Sequence, residues 1–298
     1  MASTSSTNSV AINSVEFGQN PDVKFLFPNN GGATLLAEKV ELANKSEVFK
    51  NQFSCDITDN GGRESIPITD ISFDTFSKMI SHIYGTKIAI DKANFREILY
   101  VSRKYFLDDL TVLVIEFLKQ FLNADNLAEH FEFIEKFDIK MLNDYMAYHC
   151  RKFPLTVINT LTISAPHKRI LHIILKSPII SCTEYDLYQA VVTMLIRQQK
   201  NKVFDEEIFK KELGKMIYLI RFPTMTVSQL ISCGTKPSLL SEKQLVDLLL
   251  WVQDKKFSTT LQFFSNVQRF NENILNLKDM CLKCRATNIY CKKCDRSF

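Results

Sequence analysis

Four cysteines near the end of the chain, Cys281-Leu-Lys-Cys284 and Cys291-Lys-Lys-Cys294, have the pair spacing of metal-binding chemistry. Each Cys-x-x-Cys turn can offer two thiolates, and four thiolates close a tetrahedral zinc site at Zn–S of about 2.3 Å with no position left for a substrate. Lys283, Arg285, Lys292 and Lys293 would lower the thiol pKa values and offset the charge of a zinc tetrathiolate. Such a zinc would be structural. The six residues between the pairs are fewer than the roughly 15–20 of common four-cysteine sites. The alternative is a basic tail whose thiols are incidental.

Elsewhere no nucleophile, base and orienting group come together. His149 and Cys150 are adjacent, so on a helix they point about 100° apart and form no direct pair. His149 follows Tyr145 and Met146 at i+4 and i+3, which predicts a satisfied, half-buried side chain. His130, beside Glu129 and Glu132, lacks the His-Glu-x-x-His arrangement of zinc enzymes. None of the 8 glycines has phosphate-loop spacing. A thiol redox role would need a Cys-x-x-Cys at a strand-to-helix junction in a βαβ setting, and neither pair has one. No catalytic residue is assigned: the expectation is a non-enzymatic protein that requires no cofactor.

The chain has 298 residues, enough for about two ordinary domains. It is 46% apolar and 23% charged, which supports a sizeable core. Eight glycines, against roughly 20 for an average chain of this length, argue against propellers and turn-dense barrels. The net charge of +4 neither requires nor excludes a nucleic-acid partner. The opening Met-Ala-Ser-Thr-Ser-Ser-Thr-Asn-Ser has no basic n-region and no apolar h-region of a signal peptide. Leu110 to Leu118, the best apolar run, is interrupted by Thr111 and Glu116 and falls well short of the ~18 residues needed to span a bilayer. The expected location is the cytoplasm or the nucleus, with no membrane partner and with cysteines kept reduced.

The elements that must position any site follow from periodicity. Residues 1–15 are small and polar and predict a disordered arm. Val23, Phe25 and Phe27 alternate on one face of a strand. The Pro28-Asn-Asn-Gly-Gly32 turn follows, and β character resumes at Thr34–Leu36. Leu42, Val48, Phe49 and Phe53 mark short helices, and a brief strand is predicted at Ser65–Ile68. Ser72 is placed to N-cap a helix through Phe76, Met79, Ile80, Ile83 and Tyr84, ending at Gly85. Ile88 and Ile90 predict another short strand. Two amphipathic helices follow, around Phe95–Leu99 and Leu110–Phe121. From residue 123 strand signals fade and helical stripes continue, with prolines between them and a capping box at Ser241-Glu-Lys-Gln244.

Several of these stretches resemble one family. Leu36-Ala-Glu-Lys-Val-Glu-Leu-Ala-Asn-Lys-Ser-Glu-Val-Phe-Lys-Asn-Gln-Phe53 is similar to the "AHK-x-x-LA-x-x-S-x-x-F-x-x-x-F" stretch of BTB (POZ) domains. Ile66 to Phe76, His82-Ile-Tyr-Gly85 and Leu99-Tyr-Val-Ser-Arg-Lys-Tyr105 continue the match in register. Ala124-Asp-Asn-Leu127 and Glu184-Tyr-Asp-Leu-Tyr-Gln-Ala190 resemble a BACK domain. Leu213-Gly-Lys-Met-Ile-Tyr-Leu-Ile-Arg-Phe-Pro-Thr-Met-Thr226 is similar to a segment of the BTB–BACK–PHR subfamily of cullin-RING ubiquitin ligase adaptors. Glu38 replaces the usual His of "AHK", and Met194 stands where that BACK run is usually followed by Trp. The resemblance implies an α+β BTB/POZ domain and then an all-α BACK helical array, mostly helical overall. The expected division is an arm at 1–15, BTB at 16–122, BACK at 123–265 and the cysteine tail at 266–298, with no PHR domain.

What the resemblance implies for function is geometric. The BTB domain would homodimerise, with Asp22 and Lys39 in the positions of the acidic and basic members of the family's charged dimer pocket. A cullin scaffold would dock at Phe49, Phe53, Asp56 and Tyr84, in a groove between the Phe49–Phe53 helix and the Tyr84 end of the next. Phe53-Ser54-Cys55-Asp56 stands near the family's hydrophobic-x-Glu tripeptide without copying it, and a core role for Phe49 and Phe53 is the alternative. The dimer would hold an unidentified protein substrate near the ligase and so raise its effective concentration. Two other expectations remain: a nuclear regulator whose zinc-bound basic tail contacts nucleic acid, and a shortened paralogue that competes with full-length adaptors through mixed dimers.

Overall fold

The computed structural model describes residues 14–54, 64–198, 206–235, 237–254, 264 and 269–271. The chain divides into two compact units, Met1–Phe121 and Leu122–Phe298.

The first unit is built on a small mixed sheet. Strand β1 is Ser14–Glu16, β2 Val23–Phe27, β3 Ala33–Ala37 and β4 Glu64–Pro67, in the spatial order β1-β3-β2-β4. Strand β2 alternates as its sequence predicts, with Val23, Phe25 and Phe27 at 0% exposure. It pairs antiparallel with β3, Phe25 opposite Leu35, and parallel with β4, Phe25 opposite Ile66. The tight β2–β3 connection ends in Gly31 and Gly32, both left-handed (φ +67° and +77°), where a side chain would be strained. Helices α1 (Lys39–Lys45), α2 (Glu47–Ser54), α3 (Phe73–Ile83), α4 (Phe95–Lys104) and α5 (Asp108–Phe121) complete the unit.

An aromatic cluster joins the sheet to the helices. Phe76 of α3 lies 4.8 Å from Phe25 and 5.3 Å from Phe27 between ring centroids. Phe49 of α2 lies 5.9 Å from Phe25 and stacks on Tyr105 at 4.6 Å. Burial of such rings supplies a few kcal/mol each, before aromatic geometry adds to it. The buried Ser46 hydroxyl holds the α1–α2 junction: it donates to the Tyr105 carbonyl at 2.7 Å and accepts from the Phe49 N–H at 3.3 Å. At the start of α3 the Ser72 hydroxyl accepts from the Thr75 N–H, the cap expected of it.

Two expectations for this unit need correction. Strand β1 begins at Ser14, inside the stretch expected to be an arm, because its order comes from parallel backbone pairing with Thr34–Leu36. Ser-Val-Glu carries one apolar side chain, too few for an alternation signal. Residues Ile88 and Ile90 are half-buried, as alternation predicts, yet they form no strand. Among the described residues no ladder partner lies beside them. The chain instead enters α4 through a turn in which the Asp91 carboxylate accepts the N–H groups of Ala93 and Asn94.

The second unit comprises α6 (Leu127–Phe137), α7 (Lys140–Lys152), α8 (Pro154–Thr160), α9 (Ala165–Lys176), α10 (Glu184–Gln198), α11 (Glu206–Leu213), α12 (Val227–Gly234) and α13 (Glu242–Asp254). Pro154 and Pro166 sit in the first turns of α8 and α9, where the missing N–H costs nothing. Thr226 with Gln229 makes a reciprocal capping box. Ser241 with Gln244 makes the one expected from sequence. The unit is not purely helical: β5 (Ile179–Ile180) pairs in parallel with β6 (Phe270–Asn271). Two-residue strands are too short to leave a periodic signature. Among the described residues no helix is long and apolar enough to cross a membrane.

The surface ion pair of the first unit gives a pH test. Lys104 Nζ lies 2.7 Å from Asp70 Oδ2, and the Tyr100 hydroxyl donates to the same oxygen at 2.6 Å. The Lys104 contact, then the Tyr100 hydrogen bond, hold the Asp70 carboxyl below its usual pKa. A depressed carboxylate pKa adds stability that is present above the unfolded-state value and disappears as pH falls through the folded one. Both side chains are more than a third exposed, so screening keeps the contribution under about 1 kcal/mol. In urea titrations, Asp70→Asn is expected to cost that small amount at pH 7 and progressively less as the pH falls below the unfolded-state value of about 3.9.

Candidate functional site

Asp22 and Lys39 are brought together, in a way the sequence does not show. The exposed Asp22 carboxylate accepts the backbone N–H of Lys39 at 2.7 Å, so its charge serves the start of α1. The Lys39 ammonium instead stands over the Phe53 ring, 5.5 Å from its centroid. Strand β2 supplies Asp22 just before its first residue, and β3 runs into α1 to supply Lys39, so the sheet register fixes the pair.

Phe49 and Phe53 are four residues apart on α2 and their rings stack at 5.7 Å. They have different roles. Phe49 is 0% exposed, which corrects its expected partner contact: it is a core residue, and it fixes α2 against β2 and Tyr105. Phe53 is half-buried. Tyr84 is half-buried as well, and its hydroxyl is engaged: it accepts the Glu38 N–H at 3.0 Å and lies 3.5 Å from the Phe17 carbonyl. Its ring packs on Phe17 at 5.5 Å. Burial raises the Tyr84 phenol pKa, with the nearby carboxylates adding to the effect. Asp56 lies outside the described residues, as do Cys281, Cys284, Cys291 and Cys294.

Sequence reasoning passed over Glu38 except as a departure from a family pattern. Its Oε1 accepts the N–H groups of Gln19 at 2.8 Å and Asn20 at 2.7 Å. The turn that carries Phe17 toward Tyr84 is thereby closed by a carboxylate. Gly18 in that turn has φ +87°, and a Cβ there would push the Glu38 carboxyl group off its position. Glycine is favoured by the dihedral, and a side chain would in addition disturb the acceptor of the turn. The signal available in sequence was the Gly18-Gln-Asn20 turn ahead of β2, without any hint of its acceptor.

The three described cysteines of the second unit are held in the thiol form. Burial pushes Cys150, Cys182 and Cys233 each up to about 12, so they are protonated thiols at neutral pH. Among the described residues no group of three or more His, Cys, Asp or Glu is placed to hold a metal. His149 departs from expectation. It is 8% exposed, and neither ring nitrogen has a hydrogen-bond partner. Its surroundings are the rings of Tyr145 at 4.7 Å, Tyr148 at 5.5 Å and Phe153 at 5.8 Å. Those faces bury the imidazole without offering it an acceptor, and burial lowers its pKa.

The two family-like motifs of this unit meet in space. Glu184, which opens the Glu-x-x-Leu-Tyr run of α10, accepts the Arg221 N–H at 3.1 Å. Tyr188 packs its ring 5.6 Å from Phe222 and donates its hydroxyl to the Cys233 carbonyl at 3.0 Å. Arg221 and Phe222 belong to the Ile-Arg-Phe-Pro-Thr-Met-Thr segment, which forms a one-turn 3-10 helix. Met194 is a buried core side chain.

Two outcomes follow. Gly18→Ala is expected to lose about 2 kcal/mol or more in urea unfolding, chiefly through the dihedral. For His149, a folded-state pKa below the unfolded value means that the unfolded chain takes up the proton first as pH falls. The second unit therefore loses stability below about pH 6.5. His149→Leu removes that loss and gains about 1–2 kcal/mol at pH 7 by deleting an unpaired polar group, as thermal melts from pH 5 to 7.5 would read.

The family model covers the first unit, and the curated relatives match over most of both units. A family model described as BTB/POZ domain matches residues 13–122. BTB/POZ domain-containing protein 6-B of Danio rerio is 25% identical over 243 residues, covering 77% of this chain and 48% of the relative. BTB/POZ domain-containing protein 3 of Mus musculus is 24% identical over 259 residues, covering 83% of this chain and 47% of the relative. The chain spans about half the length of these curated relatives. Among solved structures, the BTB domain of zebrafish PATZ1 is similar at 26% identity and a TM-score of 0.29, over 34% of this chain and 76% of that one. The four-strand sheet, its phenylalanine core and the Asp22–Lys39–Phe53 surface all fall inside the matched span, and residues 13–122 are a BTB/POZ domain.

Proposed function

We propose that the chain is a BTB adaptor: it pairs with a second copy through the BTB/POZ domain and holds a protein substrate against a cullin scaffold of a ubiquitin ligase. The observation that carries this reading is the division of labour on α2. Phe49 locks the helix into the core, and Phe53 stands half-buried one turn further on beside Lys39. A rigid helix with an aromatic anchor at its outer end suits the reception of a partner helix along an apolar stripe. Asp22 and Lys39 supply the charged edge of the dimer surface in this reading. The second, BACK-like unit serves as the arm that carries the substrate, and the mechanism is proximity.

The test uses the purified full chain. It is expected to run in light-scattering chromatography at twice its 34.4 kDa mass and to retain a cullin N-terminal region in a pull-down. Phe53→Asp is expected to weaken that retention at least tenfold with the dimer intact, since a central aromatic anchor commonly contributes about 2 kcal/mol or more. A dimer that never retains a cullin contradicts the ligase part of the reading. A monomer contradicts all of it.

A further inference from the structure

Glu184 is buried at the start of α10, its side chain 9% exposed. One of its oxygens takes the Arg221 N–H. The other takes the Nε–H of Arg269, whose own side chain is 3% exposed. The same guanidinium donates through Nη1 to the Ser177 carbonyl and through Nη2 to the Leu219 carbonyl, the latter at 2.8 Å. Ser177 caps the C-terminus of α9, and Leu219 ends the 3-10 helix Gly214–Leu219. Such carbonyls lack intrahelical partners and carry the negative end of the helix dipole. A carboxylate and two helix-end carbonyls thus converge on one point from separate elements. A planar fork satisfies that set, and a lysine ammonium cannot.

The neighbours of the arginine are docked too. Phe264 is 7% exposed, its ring 5.1 Å from Tyr218 and 5.5 Å from Phe222. Phe270–Asn271 adds to Ile179–Ile180 as a parallel strand. An aromatic side chain, an ion pair and a backbone ladder together are the ingredients of strand-addition recognition, in which main-chain bonds give affinity and side-chain receptors give specificity.

We propose that the Glu184 cluster is a receptor for an extended, arginine-bearing segment, and that this chain fills it with its own Arg269, beside the Phe270–Asn271 strand. With the arginine removed, Glu184 is left as a buried carboxylate with one backbone donor. That state is strongly unfavourable, and it creates a vacancy shaped for a guanidinium. This inference concerns the second unit alone and does not depend on the adaptor reading.

The test is chemical rescue in the full chain. Arg269→Ala is expected to lower Tm by about 10 °C. Propylguanidinium at millimolar concentration then restores at least half of the loss with a saturable dose dependence. It gives no gain to the wild type or to the Arg269→Ala/Glu184→Gln double variant. The peptide acetyl-Gln-Arg-Phe-Asn-amide binds the single variant and not the double. Should Arg269→Ala fail to fold alone, refolding with the ion or the peptide present recovers soluble chain. A variant as stable as wild type, or a destabilised one that neither probe rescues, overturns the proposal.

Discussion

The first unit depends on Phe49 being held between a strand and the end of a helix. Phe25 approaches it from β2 and Tyr105 stacks on it from the end of α4. Because Phe49 is fully buried, α2 cannot roll, and the direction in which Phe53 points is fixed by the core. Burial of the Tyr105 ring also raises its phenol pKa, so the hydroxyl stays neutral inside that cluster. The Ser46 hydrogen bonds tie the same junction from the polar side. If the proposed partner binds there, a helix end fixed this way leaves little ordering cost for the binding step. The Asp22–Lys39 backbone contact extends the principle, since a carboxylate at the start of α1 fixes where the lysine begins.

The second unit has a comparable centre of a different kind. Glu184 is a buried charge that is tolerable only because its oxygens are occupied by Arg221 and Arg269. It links α10, the Ile-Arg-Phe-Pro-Thr-Met-Thr segment and the docked residue that precedes β6. Tyr188 and Phe222 make the adjoining apolar contact. A short motif that reads in sequence as a helix start with an acidic residue is here the junction of several elements. His149 shows the opposite arrangement, a polar ring buried among aromatic faces with neither nitrogen paired.

Much of this architecture was legible because it is periodic. The alternation of Val23, Phe25 and Phe27 located β2, and the helical spacing of Phe76, Met79, Ile80 and Ile83 located α3 together with its Ser72 cap. The Ser241–Gln244 capping box was legible as a local pattern of hydrogen-bonding side chains. The misses share a cause, which is dependence on a distant partner. Strand β1 exists through pairing with β3, the Ile88–Ile90 alternation has no ladder partner, and β5 waits for residues almost a hundred positions later. The stop of α4 was hidden for another reason: Phe106 takes the left-handed position (φ 52°) usually given to glycine. At the candidate site, the family resemblance singled out Asp22, Lys39, Phe53 and Tyr84. It could not show that Phe49 is wholly interior or that Glu38 closes the Gly18 turn, because burial and acceptor geometry are properties of the folded chain.

The central claim is that the outer end of α2, fixed by the core beneath it, is where a partner helix is received. Hydrogen–deuterium exchange of the full chain, with and without a cullin N-terminal region, addresses it most directly. The account predicts slowed exchange in peptides covering 47–54 and 81–85 when the cullin fragment is added, with β2 unchanged. Slowed exchange confined to other segments, or no change at a saturating concentration of the fragment, would contradict it.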